Sequence, residues 1–335
     1  MSESNRTVRL ASRPVGMVRR ENFTLADEAL PEPADGEFRV RISHVSLDPA
    51  MRGWISDAKS YVPPVGIGEV MRGFAVGTVE ASRNPAFRDG DSVVGLLGIQ
   101  RFAVSDGKGI YKVDASMAPP QRWIGGLGMP GITAYFGVTE ICKPKQGETL
   151  VVSAASGAVG SIVGQIAKLM GARAVGIAGG PEKCRYLTDE LGFDAAVDYK
   201  AGNLKADLKA ACPDGIDCLF ENVGGDIHDA CLAQMNLHGR VAICGLISAY
   251  NATEPVPGPY SYRSILVNRL TVRGFIVFDF IKQYPEALKT LGEWHAAGRL
   301  KMREDVREGG VDAFPDVLNL LYTGGNFGKL VLHIG

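Results

Sequence analysis

The segment Thr149–Leu169, TLVVSAASGAVGSIVGQIAKL, decides the fold of this chain. Its first five residues form a short, mostly apolar run that is typical of a buried strand. A turn of small residues follows, and beyond it the apolar side chains recur every three or four residues, which is the spacing of one helix face. Small and hydroxyl side chains interrupt the apolar run and argue against a membrane-spanning helix. The segment therefore predicts a strand, a tight turn and a helix.

The chain after residue 148 repeats this alternation of strand and helix. Such alternation predicts a parallel sheet covered by helices on both faces, and six strands complete a doubly wound, Rossmann-type α/β sheet. A second helix is predicted over Glu182–Leu191. The other predicted strands are Ala174–Ala178, Ala195–Asp198, Asp217–Glu221, Arg240–Cys244 and Leu270–Phe278.

The chain before residue 125 has a different pattern. Short alternating stretches such as Val40–Leu47 are separated by proline and glycine, which predicts a β-rich, barrel-like domain. From about Gly298 the chain resumes short strand-like pieces, and we expect it to return to that domain. The sequence thus predicts two domains, one of residues 1–125 and 299–335 and one of residues 126–298.

Composition and charge argue against some broad classes. The 335 residues carry a formal net charge of -1, so no global field attracts nucleic acid or an anionic membrane. The N-terminal stretch is polar and does not resemble a signal peptide. The six cysteines include no CxxC pair, which favours reduced thiols in a cytosolic protein. We therefore expect a cytoplasmic location.

The turn Ala154–Gly160 has the spacing of a dinucleotide-binding fingerprint, with Ala155 at the first position. In such a turn Gly157 would let the backbone approach a diphosphate, and Gly160 would let the helix pack closely on the strand. The amides and the dipole at the helix start favour phosphate groups. A tight turn that binds nothing is the alternative, but the strand before it and the amphipathic helix after it favour a cofactor.

The end of the second strand indicates which dinucleotide is bound. An NAD-selective site places Asp or Glu there to hold the ribose 2′-hydroxyl. Here Gly179 and Gly180 occupy the stretch, Lys183 follows in the next helix, and Tyr199 comes after the third strand. Open space, a cation and a hydroxyl suit the 2′-phosphate of NADPH. Lys183 could also be an ordinary solvated lysine, which is the commoner role of a single helix lysine.

Short motifs along nearly the whole chain resemble the zinc-independent branch of the medium-chain dehydrogenase/reductase superfamily. More narrowly, they look like the leukotriene B4 12-hydroxydehydrogenase/prostaglandin reductase group, which includes plant alkenal double-bond reductases and bacterial curcumin-reductase-like NADPH enzymes. The bacterial branch is the most similar, through the segment around Tyr61. Besides the glycine turn, the motifs are residues 47–52 (LDPAMR), 60–69 (SYVPPVGIGE), 129–135 (MPGITAY), 220–225 (FENVGG), 245–248 (GLIS), 274–277 (GFIV) and 325–329 (GNFGK).

The resemblance implies a GroES-like domain beside the Rossmann domain, NADP(H) as cofactor, and a homodimer that covers the apolar sixth strand at the sheet edge. Asn222 would line the dinucleotide and Asn326 would reach it from the first domain, although both could be simple turn residues. The implied cofactor residues are Gly157, Ala158, Val159, Gly160, Lys183, Tyr199, Asn222, Cys244, Gly245, Leu246, Ile247, Ser248, Tyr250, Ile276, Val277, Phe278 and Asn326.

Zinc ligands are missing from the segments where zinc-dependent relatives carry them. Those relatives need Cys, His and a further ligand around the substrate, yet no cysteine precedes Cys142, and His44 is the only histidine before residue 228. Alcohol oxidation is harder without a Lewis acid. Conjugate reduction is easier to explain, because it needs a hydride at the β-carbon and hydrogen-bond donors for the enolate-like oxygen. We therefore expect no metal.

The expected activity is the NADPH-dependent reduction of the carbon–carbon double bond of enones and enals, with curcumin- or prostaglandin-type substrates included. A quinone oxidoreductase on the same fold and a non-catalytic NADPH-binding protein are the alternatives. The tyrosines considered as proton donors are Tyr260 and Tyr262, before the sixth strand, Tyr61, in a proline-rich loop, and Tyr250, after the fifth strand. We expect Tyr61 and Tyr250 to orient substrate by hydrogen bonding. We expect no essential acid, since a phenol is weakly acidic at neutral pH.

Overall fold

The computed structural model describes residues 3–335, which form two compact units. One unit comprises the chain up to Gly125 together with Glu304–Gly335, and the other comprises Gly126–Arg303. Each unit has a hydrophobic core of its own, around Phe38 in the first and around Val151 in the second. Within the described residues, no helix is long and apolar enough to cross a membrane.

The strands and helices are numbered separately along the chain. The strands are β1 (Ser4–Leu10), β2 (Phe23–Ala29), β3 (Phe38–Ser46), β4 (Phe74–Ser82), β5 (Ser92–Leu96), β6 (Phe102–Ser105), β7 (Tyr111–Lys112), β8 (Thr149–Ser153), β9 (Arg173–Ala178), β10 (Ala195–Asp198), β11 (Ile216–Glu221), β12 (Met235–Ile243), β13 (Thr271–Gly274), β14 (Glu304–Arg307) and β15 (Lys329–His333). The helices are α1 (Met51–Trp54), α2 (Pro120–Trp123), α3 (Met129–Phe136), α4 (Gly160–Leu169), α5 (Pro181–Arg185), α6 (Leu204–Ala211), α7 (Gly225–Leu232), α8 (Arg263–Val267), α9 (Tyr284–Ala296) and α10 (Phe314–Thr323).

The second unit is built on a sheet of six parallel strands in the order β10-β9-β8-β11-β12-β13. The chain enters at the central β8, extends to one edge through β9 and β10, and returns to β11 on the other side of β8. Because parallel crossovers are right-handed, this reversal places helices on both faces. Every residue of β8 is buried, as in a strand covered on two sides. The predicted doubly wound sheet is confirmed.

The first unit is β-rich, as its short alternating stretches predict. Its main sheet has the order β14-β15-β3-β4-β5-β7, with β6 paired to β3, and its neighbours are antiparallel except β14 and β15. Along β3, Phe38, Val40 and Ile42 are fully buried. Arg41, which alternates with them, forms ion pairs with Glu80 and Glu3. The alternation thus separates an apolar face from a charged one.

The sixth strand is shorter than the sequence predicts. A strand is predicted over Leu270–Phe278, but β13 covers only the first half of that run. The N–H of Ile276 donates to the Asp279 carboxylate at 3.2 Å, and a 3₁₀ segment begins there. The Phe275 ring lies edge-on to Phe220, with 6.0 Å between their centroids. The second half of the apolar run is therefore a capped turn that contributes an aromatic side chain to the core.

The two histidines paired across β3 and β15 make the stability of the first unit depend on pH. The rings of His44 and His333 lie 4.8 Å apart, and burial together with the His333 charge lowers the pKa of His44 from 6.5 to about 4. Between these two values the unfolded chain binds a proton that the folded chain does not, so stability is lost as the pH falls from about 6.5 to about 4. We expect His44→Gln to show a smaller fall in melting temperature between pH 7 and pH 5 than the wild type.

The exposed His238, in the other unit, supplies the control for this prediction. Its backbone φ is 61°, so His238→Asn is a tolerated exchange. Thermal unfolding of the three proteins should give the wild-type pH slope for His238→Asn. Parallel curves for the wild type and His44→Gln would contradict the assignment to His44.

Candidate functional site

Most of the predicted cofactor residues lie along one edge of the six-stranded sheet, because they follow the carboxyl ends of its parallel strands. Ligands of doubly wound sheets bind outside this edge, where the strand order reverses, and here that point lies between β8 and β11. The glycine turn follows β8, Lys183 follows β9, Tyr199 follows β10, Asn222 follows β11, residues 244–250 follow β12, and residues 276–278 follow β13.

The turn between β8 and α4 is held tightly on its inner side and is open on its outer side. Ala154 has a left-handed φ of 49°, and its carbonyl oxygen accepts the N–H of Gly157 at 3.0 Å. A Cβ on Gly160 would lie 2.4 Å from that oxygen, so only glycine lets α4 start so close to the strand. A Cβ on Gly157 would meet the same oxygen alone, at 3.1 Å. A ligand can therefore approach the backbone at Gly157, next to the first amides of the helix.

The ends of β9 and β10 are joined through one carboxylate. Asp198 accepts the backbone N–H of Gly180 at 2.8 Å and that of Lys200 at 2.9 Å. A Cβ on Gly179 would lie 2.9 Å from the Tyr199 ring and 3.0 Å from the Lys200 side chain, so both side chains lie against this glycine. The stretch where an NAD-selective site has its own acid is thus glycine backbone, with a phenol and a lysine against Gly179 and the Asp198 carboxylate on the N–H of Gly180.

The fully buried carboxylate of Glu221 organises the end of β11. Its Oε1 accepts the hydroxyl of Ser153 at 2.7 Å, the N–H of Val223 at 2.5 Å and the N–H of Gly224 at 2.9 Å. Its Oε2 lies 3.2 Å from Nδ1 of His228 on α7. One side chain therefore fixes the turn after β11 against the end of β8.

The loop after β12 is held in turn by the backbone after β11. The carbonyl oxygen of Glu221 accepts the N–H groups of Cys244 and Gly245 at 2.9 and 3.1 Å. The carbonyl oxygens of the next two residues accept the N–H groups of Ile247 and Ser248 at 3.2 and 3.0 Å. The predicted residues 244–248 are thus arranged by the strand beside them.

Tyr250 has its hydroxyl oxygen close to the same loop. The N–H of Leu246 donates to this oxygen at 3.2 Å, and a Cβ on Gly245 would also lie 3.2 Å from it. The phenol therefore supports the loop backbone, which is compatible with a hydrogen-bonding role and is not in itself a role in proton transfer. Its expected part in orienting substrate stays a prediction.

Two of the predicted residues, Tyr61 and Asn326, belong to the first unit. Tyr61 is half exposed and lies outside helices and strands. The Nδ2 of Asn326 donates to the carbonyl oxygen of Gly328 at 3.0 Å, just before β15. Their roles toward substrate and cofactor stay predictions.

Sequence reasoning assigned no role to Glu221 or Ser153, the side chains that connect two strand ends. The signal was an ionisable residue at the end of a buried apolar strand, in the run DCLFEN. A charge at such a position needs several partners. One of those partners, Ser153, lies 68 residues away in the chain, and no local pattern reveals it.

Comparison with known proteins gives two family matches. Residues 6–113 match the N-terminal domain of oxidoreductase, and residues 158–293 match zinc-binding dehydrogenase. NADPH-dependent curcumin reductase from Escherichia coli (strain K12) is 43% identical over 99% of this chain and 97% of that protein. The NADP(+)-dependent 2-alkenal reductase from Nicotiana tabacum is 41% identical over 88% of this chain and 86% of that protein. The crystal structure of CurA from Vibrio vulnificus in complex with NADPH superposes with a TM-score of 0.94 at 45% identity, over 98% of this chain and 99% of that chain.

The chain belongs to the medium-chain dehydrogenase/reductase superfamily. The family predicted from the motifs is thereby confirmed. Among residues 3–335 of this superfamily member, no group of three or more His, Cys, Asp and Glu side chains is arranged to hold a metal ion. Independence from zinc stays a prediction.

The edge of the sheet fits a dinucleotide in this superfamily member. The backbone at Gly157 is accessible, the amides at the start of α4 lie beside it, and the end of β9 carries no acid. Lys183, half-buried on α5, follows the Gly179–Gly180 turn that Lys200 also contacts. These residues offer a diphosphate cradle and two cations near one strand end.

Two Gly→Ala exchanges in helices of the second unit should change the free energy of unfolding in opposite directions, because Gly160 is closely packed at the turn and Gly292 is not. Gly160→Ala should lower the free energy of unfolding by about 1–3 kcal/mol, because its Cβ would overlap backbone atoms of the turn. Gly292→Ala, inside α9, should raise it by about 0.5–1 kcal/mol, because its Cβ meets nothing within 4 Å. Chemical denaturation measures both, and a neutral Gly160→Ala would contradict the tight turn.

Proposed function

We propose that this protein is an NADPH-dependent reductase that saturates the carbon–carbon double bond of α,β-unsaturated ketones and aldehydes. The observation that carries the proposal is the end of β9, where Gly179 and Gly180 replace the acid of an NAD site and Tyr199 and Lys200 lie against Gly179. The similarity to NADPH-dependent curcumin and alkenal reductases over most of the chain supports the same cofactor and substrate class.

The cofactor, when bound, supplies the hydride that adds to the β-carbon of the substrate. The protein binds and orients both reactants. The amides at Gly157–Gly160 receive the diphosphate, Lys183 and Tyr199 receive the 2′-phosphate, and Asn222 with residues 244–248 lines the dinucleotide. Hydrogen-bond donors then stabilise the enolate-like oxygen, and we assign this orienting role to Tyr61 and Tyr250. The α-carbon takes its proton from water, without an essential side-chain acid.

The experiment that tests the proposal measures NADPH oxidation with enals, cyclic enones, curcumin-like dienones and quinones, and identifies the products. We expect turnover with enones or enals, a saturated carbonyl product, and unchanged activity in the presence of a chelator. Turnover of quinones alone would establish the quinone oxidoreductase alternative, and NADPH binding without turnover would establish a non-catalytic protein. Stoichiometric zinc in the purified protein, with activity lost when the zinc is removed, would contradict the prediction that activity needs no metal.

Cofactor choice should depend on Lys183. Lys183→Ala removes one charge-assisted contact to the 2′-phosphate, so the Kd for NADPH should rise roughly tenfold to a hundredfold while the Kd for NADH stays constant. Fluorescence titration measures both constants without turnover. Lys209→Ala, an exposed lysine on α6, is the control and should leave both unchanged. Equal affinity of the wild type for NADH and NADPH would sink the prediction.

Tyr61 and Tyr250 should contribute by orienting the substrate and should not be essential proton donors. Tyr61→Phe and Tyr250→Phe should each lower kcat by less than about a thousandfold, with part of the loss in KM, because general-acid help is typically worth about 10²–10⁴-fold. Steady-state kinetics on one enone measures this, with the exposed Tyr111→Phe as control. A larger drop in either variant, with NADPH affinity intact, would establish a dedicated proton donor.

We also propose a homodimer that pairs β13 with its symmetry mate. β13 is the exposed edge of the six-stranded sheet, and Leu266 and Val267 of the preceding helix are 79% and 50% exposed. Pairing two copies about a two-fold axis would cover an edge that otherwise favours aggregation. Sedimentation should give a dimer for the wild type and a 35.7 kDa monomer for Leu266→Glu. A wild-type monomer at micromolar concentration would count against the dimer.

A cytoplasmic location completes the proposal. All six cysteines are free thiols, and most are buried. Free thiols are typical of reducing compartments. Fractionation of the cells that make the protein tests the location directly.

A further inference from the structure

Glu221 is a fully buried carboxylate to which the proposed chemistry gives no task. It is 0% exposed, and within residues 3–335 the one side chain able to carry a positive charge at hydrogen-bonding distance from it is His228, at 3.2 Å. Burying an ion costs several kcal/mol unless hydrogen bonds replace its hydration. Departures of this kind from a simple apolar core concentrate at functional sites.

The hydrogen bonds of Glu221 require a strong acceptor. Its Oε1 takes three donors, the Ser153 hydroxyl and the backbone N–H groups of Val223 and Gly224. An ionised carboxylate has enough lone-pair directions for this, and bonds to it are about twice as strong as neutral ones. A neutral side chain of the same shape would hold the three donors more weakly.

Through these bonds Glu221 is connected to predicted cofactor residues that follow two strands, β11 and β12. Ser153 also accepts the backbone N–H of Asn222 at 2.8 Å, and its carbonyl oxygen accepts the Asn222 amide at 2.8 Å. The turn fixed in this way then holds Ile247 and Ser248 through the carbonyl oxygens of Asn222 and Val223. Neither Glu221 nor Ser153 was among the predicted cofactor residues.

We propose that Glu221 is the positioning residue of the dinucleotide site, acting through Ser153 and the Asn222–Gly224 turn. It holds the backbone after β11 and the loop after β12 in the shape that receives the cofactor. The proposal rests on the proposed function for the identity of the ligand. It goes beyond that function in assigning a role in cofactor affinity to a side chain that lies beneath the site.

The charge of Glu221 and its positioning role have opposite effects on affinity. A carboxylate repels an anionic dinucleotide, so neutralising it would tighten binding if charge alone mattered. Neutralising it also weakens the three bonds that shape the turn, which loosens binding. The direction of the change in Glu221→Gln therefore separates the two effects.

The test measures the Kd of NADPH by fluorescence titration for the wild type, Glu221→Gln and Ser153→Ala. We expect both variants to raise the Kd by about tenfold, the result of losing one or two charge-assisted bonds, while kcat at saturating NADPH stays within about threefold. Without cofactor, the backbone amides of Val223, Gly224, Cys244 and Gly245 should exchange hydrogen faster in Glu221→Gln. A general loss of stability alone would not produce this local pattern.

Glu148→Gln is the matched control. Glu148 is a partly buried carboxylate that pairs with Arg240 and accepts the N–H of Lys145 at 2.8 Å, before the start of β8 and so at the other edge of the same sheet. We expect this variant to lower the melting temperature while the Kd of NADPH and the exchange of the four amides stay at wild-type values.

Each result then supports or overturns the assignment. Unchanged or tighter NADPH binding in Glu221→Gln, or unchanged exchange of the four amides, would overturn it. If Glu221→Gln does not fold, Ser153→Ala decides, and an unchanged Kd in that variant overturns the proposal. A wild type that binds neither NADPH nor NADH would also overturn it. A wild type that binds NADPH but reduces no enone would sink only the proposed function.

Discussion

The position of β8 between β9 and β11 is the constraint on which the second unit depends. All five residues of this strand are buried, so it tolerates only apolar or fully hydrogen-bonded side chains. The chain leaves it toward β9 and later returns on the other side. The loops after β8 and β11 therefore part, and the crevice between them is where a ligand of such a sheet binds. The residues proposed for the cofactor follow from this one reversal.

Polar groups at the two edges of the sheet are satisfied in different ways. Near the amino edge, Glu148 is paired with Arg240, and Asp217 accepts the backbone N–H of Thr149 at 2.8 Å. At the carboxyl edge the carboxylates of Glu221 and Asp198 are held mainly by backbone N–H groups instead. These bonds fix the backbone of the loops that follow β10 and β11. The carboxyl edge is thereby shaped for binding, whereas the amino edge is closed by its own ion pair.

The spacing of apolar residues was sufficient to predict the strands and helices, but not where each of them ends. The strand, turn and helix of residues 149–169 follow from apolar spacing and from the glycines, and the structure has them there. The run after Leu270 misled the same reasoning, because apolar residues fill a strand and a buried aromatic turn equally well. Beyond β13, Asp279 caps the 3₁₀ segment at Ile276, and a single acid after an apolar run does not by itself indicate such a cap. The doubly wound topology was inferred from the alternation of strands and helices and from the count of six strands.

The sequence by itself determined the two-domain pattern, the glycine turn, the missing acid after β9 and the family. Each of these features depends on residues that are close together in the sequence, within one turn of a helix or one strand. Only the tertiary structure showed that Lys200 lies against Gly179, that Asp198 holds Gly180, and that Glu221 reaches Ser153. Such contacts join residues on different strands, and they form only when the parallel sheet brings the strand ends together. The hydrogen-bond partner of a polar side chain can therefore be named only when the tertiary structure shows which residues lie beside it.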